Sequence, residues 1–236
     1  MPEISIKAET LFYIGSFAVK NSMLLSALVF VFLICVGISY FNDSQKEEKS
    51  GLFYTINLML RTLYDLFSSI VHDKIDVFFP LLSAFFLWIL IQNWSGLLPG
   101  VGSIMVGHIP LLRGNNADLN ATLALAIISV TMIQVYGFQF LGFKVYISKF
   151  LNFKDPIYFV LGILEIISEV SKVVSFAFRL FGNIFAGEVL LTIVAFLVPV
   201  LASFPFLILE IFVGFVQALV FSMLTSVFLS LAVSQH

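Results

Sequence analysis

The sequence predicts an all-α integral membrane protein: about five membrane-embedded helices and one amphipathic surface helix, ending in a long, steeply tilted antiparallel helical hairpin. Three observations carry that expectation. Of the 236 residues, 60% are hydrophobic and only 11% charged, whereas soluble domains keep roughly a quarter of their residues charged because their surfaces face water. The mean hydropathy is +1.07, and Phe alone occurs 28 times. The apolar residues also fall into runs of the roughly 20 residues that a bilayer-crossing helix needs. A net charge of −2 gives no sign of nucleic-acid binding. Cys35, alone in an apolar run, offers neither a disulfide nor a metal cluster and reads as a small core hydrophobe.

The N-terminal "MPEISIKAETLFYIG" has acids before any apolar stretch and no basic lead-in, so it is not expected to be a cleaved signal. The first span is expected at 22–41. After the polar "NDSQKEEKSG", residues 52–72 place Phe53, Ile56, Leu60, Leu63, Phe67 and Ile70 on one helical face, with Asn57, Arg61, Asp65 and Ser68 on the other. This segment is expected to lie flat on the membrane surface, the alternative being a helix packed on a soluble partner. Two further spans are expected at 77–98 and 119–143. Lys46, Lys49, Arg61 and Lys74 follow the first span, and Lys144, Lys149 and Lys154 follow the third, while Arg113 is the one basic residue in the 99–118 loop. The positive-inside rule then puts the N-terminus and that loop outside, and the surface helix and C-terminus in the cytoplasm. Lys7 and Lys20 do not reverse this balance.

From residue 156 to 197 the helical pattern is almost unbroken, on the order of 60 Å at ~1.5 Å per residue. That is twice the ~30 Å hydrocarbon thickness, so the helix must tilt or kink. "PVLASFP", with Pro199 and Pro205, is the expected turn into a partner helix at 206–233. The whole chain reads as one membrane domain. No internal repeat is visible, unlike the duplicated architecture of many transporters.

Glu165, Glu169, Lys172, Ser175, Arg179 and Asn183 recur at spacings of three and four, forming one polar stripe. Charge at mid-bilayer costs roughly 2.5 to 3.5 kcal/mol, so it faces a partner or water. Glu169 and Lys172 can satisfy each other across one turn. Arg179 cannot be served so simply: Glu169 is ~15 Å of helical rise away, and Glu188 lies on the opposite face. With the turn centred near Pro199, antiparallel pairing sets Glu188 level with Glu210 and Arg179 level with neutral Gln217. Two neighbouring carboxylates in low dielectric share a proton or hold a cation. A buried acid pair kept for packing alone is the competing reading, disfavoured by its desolvation penalty. Gly182, Asn183, Ala186 and Gly187 add small-residue pairs that admit a close neighbour.

The stretch "RLFGNIFAGE", with "ADLNATLALA", "LEIISEVSKVVSFAFRLFGN", "EIFVGFVQALVFSMLT" and the ending "LSLAVSQH" in order, resembles subunit a of F-type ATP synthases over nearly the whole chain. The resemblance implies a membrane stator beside a rotating c-ring. It implies an essential arginine at Arg179 facing each c-subunit carboxylate, with Asn183 and Gln217 lining the same interface. Glu188 and Glu210 would belong to an outer half-channel, Glu165, Lys172 and Ser175 to a cytoplasmic one, and Asn93 to a polar motif of the pathway. Asp118 and Asn120 match the family's D-x-N-x-T element. Both outer-channel positions are Glu here, where many members carry one His. Gly96 stands where an Asp is frequent and Val173 where a Pro is frequent. His108, in the outer loop, is a candidate proton feeder, while His72 and His236 read as solvent-facing.

The function expected from this resemblance is translocation of H+, with Na+ possible, through two offset half-channels, coupled to ATP synthesis or hydrolysis elsewhere in the complex. The chain is expected to be non-catalytic: it contains no GxxxxGK[ST] phosphate loop, and no cofactor or metal is expected. Expected partners are c-ring subunits, peripheral-stalk b subunits and lipid, in a bacterial plasma membrane rather than an organellar one. Two other classes remain open at this level, a secondary transporter using the Glu pair and a structural membrane scaffold.

Overall fold

In the computed structural model, residues 8–71, 74–98, 100–101, 104–106, 109–150, 156–198 and 203–234 are described. Seven α-helices among them are α1 (Asn21–Ser44), α2 (Gly51–Val71), α3 (Ile75–Gly96), α4 (Leu119–Leu141), α5 (Phe143–Phe150), α6 (Pro156–Leu197) and α7 (Ser203–Val233). Five of these, α1, α3, α4, α6 and α7, are long and apolar enough to cross a membrane. The protein is thus an all-α, multi-pass membrane protein in its main body.

Two small antiparallel hairpins, β1 (Thr10–Ile14) with β2 (Phe17–Lys20) and β3 (Met105–Val106) with β4 (Ile109–Pro110), were not foreseen from sequence. Asn21 ties both to the bundle. Its side-chain oxygen accepts from the Glu9 and Ser22 backbone amides at 3.2 and 2.9 Å, and its amide donates to the Pro110 carbonyl at 3.2 Å.

The core sits where α3, α4, α6 and α7 converge around Phe78, Leu82, Phe86, Ile89, Ile133, Leu180, Phe221 and Leu229. α7 packs most extensively on α3, and α6 on α4. The α3–α7 crossing is close because Gly214 has no side chain: a Cβ there would lie 3.1 Å from the Asn93 Cβ. α1 stays peripheral, burying Leu25 and Val29 and exposing Phe30, Phe32, Ile38 and Phe41 to what would be lipid. Cys35 belongs to that exposed surface, correcting its reading as a core residue. The helix α2 turns Phe53, Leu63, Phe67 and Val71 inward against its neighbours, and leaves Arg61 and Asp65 exposed.

Gly96 acquires a physical reason. A Cβ on it would meet the Gly114 Cα at 3.3 Å, so the residue lets the loop before α4 lie directly on the end of α3. That loop closes in a 3₁₀ turn, Asn115–Ala117, followed by Asp118 as N-cap of α4, whose carboxylate accepts from the Asn120 amide at 3.1 Å. The other Asp118 oxygen accepts from the Ser22 hydroxyl at 3.4 Å and faces the Lys20 ammonium at 4.0 Å.

Candidate functional site

The polar residues of α6 and α7 divide into an exposed strip and a buried set. On the strip, Ser175, Arg179 and Asn183 are all exposed, flanked by Phe178 and Val174. Their spacing of four keeps them on one face. Arg179 touches the Ser175 hydroxyl through one guanidinium nitrogen at 3.4 Å. Among the described residues no carboxylate forms an ion pair with it. Further toward the N-terminus of α6, the Lys172 ammonium donates to Glu169 at 2.6 Å and sits 4.8 Å from the Phe228 ring centre. The two pair across one turn, as one of the sequence readings allowed, and the second Glu169 oxygen is left without a hydrogen-bond partner among the described residues. Glu165 is half-buried on the same face.

Across the hairpin, the Asn183 amide donates to the Gln217 side-chain oxygen at 2.6 Å. Glu210 is 6% exposed, and its carboxylate occupies the space beside Gly187, where any Cβ would collide with it. These facing pairs centre on the turn position expected from the sequence, and the difference lies in which side chain within one turn is taken. Gln217 is level with Asn183 rather than with Arg179, one turn away, and Glu210 is level with Gly187. Glu188, half-exposed, is turned instead to Arg113, whose guanidinium lies 3.5 Å from its carboxylate. Glu188 thus has a partner not expected from the sequence, an ion pair between α6 and the loop before α4.

Arg113 is the residue that sequence reasoning missed. In the sequence it is simply the single basic residue of its loop, yet it is 7% exposed. The available signal was its position between Pro110 and Gly114, residues that fold a loop back onto the bundle.

Asn93 is buried, and both ends of its side chain are used. Its amide donates to the Gly214 carbonyl at 2.9 Å, and its oxygen accepts from Asn116 at 2.6 Å. Beside it, the Trp94 indole donates to the Ile211 carbonyl at 3.0 Å. His72, His108 and His236 lie outside the described residues. Among the described residues no cluster of three or more His, Cys, Asp or Glu could hold a metal ion.

A family model described as "ATP synthase A chain" matches residues 22–230. A protein named "ATP synthase subunit a" from Gloeobacter violaceus is 32% identical, the match covering 94% of this chain and 88% of that one. One of the same name from Moorella thermoacetica is 26% identical over 98% of this chain and 99% of its own. A third, from Buchnera aphidicola, is 30% identical over 95% and 87%.

Proposed function

The chain belongs to the ATP synthase A chain family, and from that premise we propose that it is the stator half of a proton pathway in a rotary ATP synthase. It works against a ring of c subunits and is held by peripheral-stalk b subunits in a bacterial plasma membrane, with the N-terminus outside. The observation that carries the reading is Arg179: a permanent cation on an exposed face of a membrane helix, with no ion-paired carboxylate among the described residues. Such a charge is tolerated when a partner supplies the counter-charge.

A proton enters from outside past Glu188 and Glu210, passes the buried Gln217 to reach the strip at Asn183, and neutralises a ring carboxylate. After rotation it leaves along Ser175, Lys172 and Glu165. Arg179 stands between the two paths, and its attraction for ionised ring carboxylates keeps protons from crossing directly. The membrane potential supplies about 2.3 kcal/mol per charge per 100 mV to drive the transfer. Asn93 serves this route from behind, since both of its polar ends are committed to protein groups.

The test places Asn183→Cys, on a Cys35→Ser background, opposite a cysteine beside the ring carboxylate in reconstituted complexes. A disulfide should form under mild oxidant, and Phe32→Cys on α1 should give none. No cross-link from position 183, or ATP synthesis that proceeds without this chain, overturns the reading. Glu210 offers a second check. Gly187→Ala puts a methyl group where its carboxylate lies, and the carboxylate, at the end of a flexible chain, must swing aside. Synthesis per assembled complex should drop about tenfold, the effect of a ~1.4 kcal/mol barrier increase. Adding Glu210→Asp, one methylene shorter, should recover part of it.

A further inference from the structure

We propose that Gln134, Tyr146 and Glu169, gathered where α4, α5 and α6 meet, form a binding site for a proton-carrying water that links the α6 stripe to the aqueous phase beyond α5. The inference rests on the translocation reading and gives it a specific exit.

The chain builds this junction deliberately. Gly142, at φ 80°, turns α4 back into the short helix α5 in a conformation that side-chain-bearing residues rarely adopt. α5 then packs on α4 and α6. The Tyr146 ring lies against Gly137, where a Cβ would occupy the ring's own space. Phe138 and Phe150 hold that ring, with centres 4.6 and 5.6 Å away. Tyr146 is only 3% exposed, and its hydroxyl donates to the Gln134 side-chain oxygen at 2.6 Å. Burial, together with the carboxylates of Glu169 and Glu165, pushes the Tyr146 phenol up to about 12. It therefore remains a hydroxyl donor at neutral pH and fixes which way the Gln134 amide faces.

That orientation leaves two complementary groups open. The Gln134 amide nitrogen is shielded from solvent and has no hydrogen-bond partner among the described residues, and the same is true of Glu169 Oε2. The other Glu169 oxygen is already taken by Lys172. Leaving a buried donor and a buried acceptor unpaired is unfavourable for both. A molecule that accepts from the amide and donates to the carboxylate relieves the two together, and water does this in polar sites. A sodium ion does not fit, because it cannot accept from an amide and the Lys172 ammonium opposes it.

In the transfer, Glu169 Oε2 takes up the proton released by the ring carboxyl group, and then passes it to the water oxygen as the new carboxyl O–H bond breaks and the carboxylate is restored. The water releases a different proton outward, so charge and atoms balance and Lys172 stays an ammonium throughout. Tyr146 acts as a positioning residue, holding Gln134 without touching the ring carboxylate.

Tyr146→Phe and Gln134→Leu test the proposal in reconstituted complexes stripped of the soluble ATPase, by passive proton conductance per assembled complex. The phenylalanine keeps the ring against Gly137. Each variant should lower conductance about tenfold, the scale of one lost hydrogen bond, with the thermal midpoint lowered by a few degrees because one buried partner of the pair is left unbonded. Wild-type conductance in both, with or without a lowered melting temperature, overturns the proposal and leaves the hydroxyl a packing contact. Arg179→Ala in reconstituted complexes that retain the soluble ATPase separates the two levels. If it still supports ATP synthesis, the translocation reading itself falls; if it is inactive while both site variants conduct normally, only the water site falls.

Discussion

Arg179→Ala should abolish gradient-driven ATP synthesis while leaving the chain folded and assembled. The side chain is exposed and makes one long contact, to Ser175, so its removal creates no cavity and orphans no buried partner. What disappears is the attraction for a ring carboxylate. At about 4 Å and an effective dielectric near 20 that attraction is about 4 kcal/mol, and each ~1.36 kcal/mol is a factor of ten. The bias toward an ionised carboxylate at the stator should thus fall about a thousandfold. Stripped membranes carrying the variant should also leak protons, visible as faster decay of a fluorescent pH-gradient signal. Arg179→Lys keeps a charge but loses the planar fork and can be deprotonated when desolvated, so it should retain only a small residual rate. Normal synthesis by the alanine variant would remove Arg179 from the mechanism.

Asn93→Leu should be the most destabilising single change in the polar framework. It leaves the Gly214 carbonyl and the Asn116 amide without the partners they now have at 2.9 and 2.6 Å. An orphaned buried group costs roughly 1 to 3 kcal/mol, although interhelical hydrogen bonds in membranes average nearer ~0.6 kcal/mol. A combined loss of about 2 to 3 kcal/mol follows for a site packed this closely. Gln92→Leu is the control: it removes only the 3.3 Å contact to Ser26. In detergent, the thermal midpoint of the Asn93 variant should fall by several degrees and that of the Gln92 variant by less than half as much. Equal midpoints would mean that Asn93 is not a fastening point.

The membrane-spanning helices were legible because a bilayer selects for one simple property, an apolar run of sufficient length, and composition alone displays it. The stripe from Glu165 to Asn183 was legible for the opposite reason: charge inside such a run is anomalous. Arg113 carries no such anomaly, since a cation in a polar loop is ordinary, and its burial is decided by how Gly96 and Gly114 bring two backbones together. The hairpin register was legible to within one turn, because Pro199 and Pro205 mark the reversal in the sequence, but that precision leaves Gln217 opposite either Arg179 or Asn183, and only the structure decides for Asn183. Residues 199–202 of that turn lie outside the described set. Tyr146 was invisible in a different way: an aromatic in a basic connector reads as an interfacial residue, and only the folding back of α5 buries it. The short hairpins near the N-terminus and before α4 are too brief to leave a periodic trace.

The hydrogen bonds at the centre of the bundle are arranged in series. Asn183 on α6 holds Gln217 on α7; three residues earlier on α7, Gly214 is held by Asn93 of α3; and Asn93 is held in turn by Asn116. Arg179 lies one turn from Asn183, at the start of that series. A sideways push delivered to Arg179 by a turning rotor would pass from α6 to α7 to α3 through short directional bonds, rather than being absorbed by sliding between greasy helix faces. The same residues that the proposed function places along an ion path would thereby give the protein shear stiffness across the plane of the membrane, which any part that must stand still under torque requires.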